Sequence, residues 1–132
     1  MNIARPLVAF FLLCVSFSAC AIDLGFDRLE KELRIRPNQK AQFDSAVAAT
    51  QRALLAVALN GLQMKQRLEE ELQKPRPDLG ALARSQEDMI DQVRPLFREA
   101  RDEWMKLYDV LDDDQVGIAK DFVRERLGRL LR

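Results

Sequence analysis

Histidine is absent from this chain, and its two cysteines, Cys14 and Cys20, both fall within the first twenty residues. Without histidine there is no imidazole for acid–base catalysis or for the common transition-metal sites. Beyond Cys20 there is no thiol to serve as a nucleophile, a disulfide partner or a soft metal ligand. Five glycines and five prolines among 132 residues leave few turns. No segment alternates apolar and polar residues as a half-buried strand does. Net charge is missing too: 21 basic side chains balance 21 acidic ones, so no overall basic field draws the chain to nucleic acid. Ser45 and Ser85 have no histidine to activate them, and acid pairs such as Glu99 with Glu103 have the one-turn spacing of solvated helix charge. These absences point away from an enzyme, a cofactor and a metal site.

What is present begins with an export signal. Residues 1–21 read as a signal peptide: Arg5 supplies the positive start, Leu7 to Val15 the apolar run, and Ala19-Cys20-Ala21 the small-x-small cleavage site. The apolar run is short for a membrane span. Cleavage would place the chain in the periplasm, starting at Ile22. Phe17-Ser18-Ala19-Cys20 also resembles a lipobox, and on that alternative Cys20 becomes the acylated first residue of a membrane-anchored lipoprotein. Export without disulfides suits a helical protein of a bacterial periplasm. Removing residues 1–21 leaves 111 residues, one small domain over 22–132, and takes away only the charge of Arg5.

The remainder is patterned for helices. Leu24, Phe26, Leu29 and Leu33 recur at helical spacing over 23–34, with Asp23 placed to cap them. Pro37 opens a much longer helix, at a first-turn position that tolerates proline. Its stripe runs Phe43, Val47, Thr50, Leu54, Val57, Gly61, Met64, Leu68, Leu72, and it ends before Pro75-Arg76-Pro77. Asp78 can cap a third helix reaching about Val110, whose stripe runs Leu79, Leu82, Gln86, Met89, Val93, Leu96, Ala100, Trp104, Leu107 and Leu111. Pro95 falls inside it at a cost of about 3 kcal/mol. Because the pattern continues on both sides, a bend is expected rather than an end. The last helix spans Asp113 to Leu130, with Ala119, Phe122, Val123, Leu127 and Leu130 inward.

Two helix starts share one device. At Leu111-Asp112-Asp113-Asp114-Gln115, Asp112 is placed to cap the first turn while the Gln115 side chain reaches back to the Asp112 N–H. Leu111 and Val116 take the positions of a hydrophobic staple. At Ile35-Arg36-Pro37-Asn38-Gln39 the same spacing recurs, with Ile35, Pro37 and Gln39 as its informative residues. One such cap is common in any helical protein; the repeat within one short exported chain is the informative part. The aspartates at 112–114, with Asp109 nearby, are hard oxygen ligands, but the run lacks the spaced acids and glycine of a calcium loop, and capping explains them.

Helices of roughly 35 residues are each about 50 Å long. The fold expected is all-α: an elongated hairpin of about four helices, too thin to bury much core by itself. A second copy is the obvious cover. Leu55, Leu59 and Leu62 form an additional stripe, rotated about 100° from that of Leu54. These leucines either meet helices of the same monomer or dimer, or form a surface for non-native clients.

In element order and in these motifs the chain resembles the Spy/CpxP family of bacterial periplasmic proteins, marked by two Leu-Thr-x-x-Gln motifs. Ile35–Gln39 and Leu111–Gln115 occupy the two places, and Lys106 to Leu111, Phe122 and Arg126-Leu127 are similar to its C-terminal segment. Arg36 and Asp112 stand where the family has threonine; Asp112 keeps the capping chemistry and Arg36 does not. Lys40 also lacks the apolar staple that Val116 supplies in the second copy. The zinc-resistance branch carries histidine-rich segments, and this chain has none. The resemblance implies a cradle-shaped antiparallel homodimer of bent helices. It implies ATP-independent suppression of aggregation, with unfolded or misfolded envelope proteins as partners. CpxP-like relatives imply an alternative: a regulator docked on the periplasmic domain of an envelope-stress sensor kinase.

Overall fold

A computed structural model describes residues 25–132; the stretch 1–21 expected to be a signal peptide, with Cys14 and Cys20, and also Asp23 and Leu24 lie outside the described residues. Four helices follow one another: α1 (Phe26–Leu33), α2 (Pro37–Leu72), α3 (Leu79–Asp109) and α4 (Asp113–Leu130). There is no strand among the described residues.

Helix α1 starts later than its apolar pattern, because Gly25 precedes it in the left-handed region at φ 71°. It ends on Arg34, left-handed as well at φ 51°. There the Arg34 N–H donates to the Lys31 carbonyl at 3.1 Å and the Ile35 N–H to the Glu30 carbonyl at 3.2 Å. These bonds satisfy carbonyls that the helix end leaves open.

Helices α2 and α3 make an antiparallel hairpin of 36 and 31 residues, about 54 and 46 Å long at 1.5 Å per residue. The tip is closed by its own polar groups. Glu71 accepts from Lys74 Nζ at 2.6 Å and from the Asp78 N–H at 3.0 Å. Asp78 Oδ1 in turn caps α3 by accepting from the Ala81 N–H at 2.9 Å. The Lys74 bond, then the Asp78 N–H, hold the Glu71 carboxyl below its ordinary value. Pro95 lies inside α3, which runs on past it.

The core gathers at the end of the hairpin away from the tip. Phe26, Leu29 and Leu33 of α1 meet Phe43 and Ala46 of α2 and Trp104 and Leu107 of α3. Ile118, Ala119 and Phe122 of α4 pack on this cluster. The Trp104 ring stacks on Phe26 and meets Phe43 edge-on, each at 5.9 Å. Its indole N–H donates to Thr50 Oγ1 at 2.8 Å, and that hydroxyl donates to the Ala46 carbonyl at 2.8 Å. The one indole of the chain is therefore core.

The tip half of the hairpin differs. No residue from Leu54 to Gln92 is buried. Gly61, Leu68, Leu72, Leu79 and Gln86, placed by their spacing in a core stripe, are exposed instead. So is Leu130, expected to face inward. The reason is geometric: α1 and α4 pack only at the base, so beyond Ala53 each long helix has, among the described residues, just the other to lie on. Two helices side by side can cover only a narrow strip of each other.

Candidate functional site

The two capping motifs come together in space. Arg36 and Asp112 are the N-cap residues of α2 and α4, with nearly the same extended backbone (φ −81° in both). In the second motif Asp112 Oδ1 accepts from the Gln115 N–H at 2.8 Å, and Gln115 Oε1 accepts from the Asp112 N–H at 3.0 Å. In the first, Gln39 Oε1 accepts from the Arg36 N–H at 3.0 Å. Arginine has no acceptor, so the Gln39 N–H turns to the Arg36 carbonyl at 2.9 Å.

The glutamine side chains then meet across 76 residues of sequence. Gln39 Nε2 donates to Gln115 Oε1 at 3.0 Å, and Gln115 Nε2 donates back to Gln39 Oε1 at 2.8 Å. Each also holds the neighbouring turn: Gln39 Nε2 donates to the Val110 carbonyl at 2.8 Å, and Gln115 Nε2 to the Leu33 carbonyl at 3.0 Å. Both residues are buried, 2% and 3% exposed, and among the described residues no buried side-chain polar atom lacks a partner. Above this amide pair the Arg36 guanidinium forms an ion pair with Asp112. Ile35 and Leu111 pack against the core beneath it. Lys40, where a staple residue would sit, pairs with Glu30 at 2.6 Å and Asp44 at 3.1 Å. The Glu30 bond, then that to Asp44, raises its ammonium above the ordinary lysine value.

This clasp ties the ends of α1 and α3 to the starts of α2 and α4. The spacing of each motif was legible in sequence; their meeting was not. The signal available was the pair of departures from threonine: a cation at 36 and an anion at 112, in equivalent places.

The second feature is the uncovered surface of the hairpin. Ala46, Ala53 and Met64 lie on the side of α2 toward α3. At about 100° per residue, Leu55, Leu59 and Leu62 fall on the far side of α2, and all three are more than half exposed. The two flanks of the hairpin differ. One is polar and cross-linked: Arg52 pairs with Glu99 at 2.9 Å, Arg67 donates to Ser85 Oγ at 2.9 Å, and Gln42 donates to Glu103 Oε2 at 2.8 Å. The Gln42 amide, then Lys106, hold the Glu103 carboxyl below its ordinary value. The other flank carries Leu54, Leu68 and Leu72 from α2 and Leu79, Ile90 and Phe97 from α3; Leu68, Leu72, Leu79 and Ile90 are exposed. The sequence pattern had assigned Leu68, Leu72 and Leu79 of this flank to core.

Among the described residues, no group of three or more cysteine, aspartate and glutamate side chains is arranged to hold a metal ion. No helix among them is long and apolar enough to cross a membrane. Compared with protein-family models, with curated proteins and with solved structures, the chain matches none.

Proposed function

We propose that this protein is a periplasmic, ATP-independent chaperone of the Spy/CpxP type, which binds unfolded envelope proteins and limits their aggregation. The observation that carries this reading is the tip half of the hairpin. Apolar side chains from Leu55 to Ile90 stand exposed there, among charged groups. Exposed apolar patches of this kind mark interaction surfaces. A shallow surface mixing leucines with charge holds an unfolded chain by many weak contacts, so the client keeps folding while bound. The base of the molecule, locked by the Gln39–Gln115 clasp, is the rigid part that presents this surface. Binding, not covalent chemistry, is the activity, and a homodimer is the working form.

The test is light scattering of a heat- or denaturant-aggregated client with and without the purified protein, no ATP added. Suppression at near-stoichiometric amounts is expected. A folded, helical protein that leaves aggregation unchanged would overturn the chaperone reading and leave the regulatory one, docking on a sensor kinase, measured as stoichiometric binding to one folded partner.

A further inference from the structure

Charge is spread unevenly along the chain. Before Lys120 it carries 16 basic and 19 acidic side chains; from Lys120 to Arg132 it carries five basic and two acidic. The two acids, Asp121 and Glu125, pair with Arg124 and Arg129, and all four side chains are more than half exposed. Such pairs hold their charges weakly. Lys120 and Arg132 have no ion pair among the described residues. Helix α4 also has two faces. Ile118 and Phe122 turn to the core. At about 100° per residue, Val116, Lys120, Val123, Arg124, Leu127 and Leu131 share an arc roughly 100° wide on the other side. None of these six is buried, and Lys120, Arg124 and Leu131 are exposed. Leu130, at the edge of the arc, is exposed as well. From Val116 onward no acid lies on the arc; Asp113 shares it only in the first turn, about 20 Å from Leu127. The chain enters the fold beside this basic half of α4. Gly25 lies against the Arg126 guanidinium, which a Cβ at that glycine would meet at 3.8 Å. Cys20 is five residues earlier in the chain, a reach of at most about 18 Å.

We infer that this outward face of α4 docks on an anionic phospholipid surface. Leu127, Leu130 and Leu131 enter the headgroup region, while Lys120, Arg124 and Arg132 meet lipid phosphate. No helix among the described residues is long and apolar enough to cross the bilayer, so the contact is superficial and reversible. On the lipoprotein alternative, an acyl group on Cys20 would hold the same end of the molecule to the same bilayer, a second signal beside the basic face. The opposite end, the hairpin tip with its open flank, then points away from the lipid. The inference goes beyond the chaperone reading and does not depend on it.

Vesicle flotation tests this on the exported protein carrying Cys20→Ser, a change that removes the acylation site so that binding reads α4 alone. The protein is expected to float with vesicles containing phosphatidylglycerol, to stay behind with pure phosphatidylcholine, and to be released by about 0.5 M salt. Lys120→Glu/Arg124→Glu should weaken binding at least about tenfold, with helicity unchanged, and Leu131→Asp should weaken it too. Arg94→Glu/Arg98→Glu, the same change of charge on exposed sites of α3, should bind as the unaltered protein does. No binding to the anionic vesicles, equal binding to neutral ones, or equal weakening by the α3 control would overturn the inference. So would a Lys120→Glu/Arg124→Glu protein that floats unchanged, or one whose only defect is in client protection, which would give the face to acidic protein instead. Client protection is read separately by scattering, so failure of the lipid contact and failure of the chaperone reading are distinguishable.

Discussion

Replacing Gln115 with leucine keeps the side chain's bulk and removes its amide from the clasp. The amide makes four bonds of good length: it donates to Leu33 O and Gln39 Oε1, and accepts from Asp112 N and Gln39 Nε2. At about 1 kcal/mol net for each, Gln115→Leu should cost about 4 kcal/mol. Gln39 also makes four, to Val110 O, from Arg36 N, and the same two shared with Gln115. Gln39→Leu should therefore cost a similar amount. In the double variant the shared pair is lost only once, so its cost should fall short of the sum of the singles by about 2 kcal/mol. Urea unfolding followed by far-ultraviolet circular dichroism, at one fixed protein concentration, measures all three. Additivity within about 0.5 kcal/mol would refute the reciprocal amide pair.

Other outcomes follow from the same geometry. Arg36→Asp restores an acceptor at the first cap but sets a carboxylate against Asp112, so it should melt at a lower temperature than Arg36→Ser, which supplies the acceptor without the repulsion; equal melting would remove the ion pair from the account. Arg34 holds a left-handed backbone at φ 51°, so Arg34→Gly should stabilise the protein by up to about 1 kcal/mol in urea titration. A loss of stability would mean that the arginine side chain matters more than its backbone. The Glu71 carboxyl lies below its ordinary value of 4.5 in the folded protein. The tip contact is therefore complete above that value and lost as the pH falls through the lowered one. A side-chain carboxyl NMR titration should place Glu71 below 4.5; a midpoint at or above it would show that the tip bonds do not persist in solution.

The base of the fold was largely legible in the sequence, because local rules act there without competition. Pro37, Asp112 and the Pro75-Arg76-Pro77 break place helix boundaries through backbone chemistry alone. Phe43, Val93, Ala100, Trp104 and Leu107 fall where their spacing puts them. The tip half departs from its pattern for the opposite reason. Spacing shows that Leu68, Leu72 and Leu79 share a face with core residues; it does not show whether any element lies over that face. The clasp was half legible. Each motif predicts its own Gln-to-backbone bond, but a pairing across 76 residues depends on how the base packs.

The central claim is that the open apolar flank holds non-native protein. The most direct measurement compares the purified protein with its Leu68→Asp/Ile90→Asp variant, by light scattering of an aggregating client without ATP. Both sites are exposed, so helicity should survive the change. Near-stoichiometric protection is expected of the unaltered protein, and several-fold more should be needed of the variant, in the range of a lost apolar contact patch. Equal protection by both, or by neither, would contradict it.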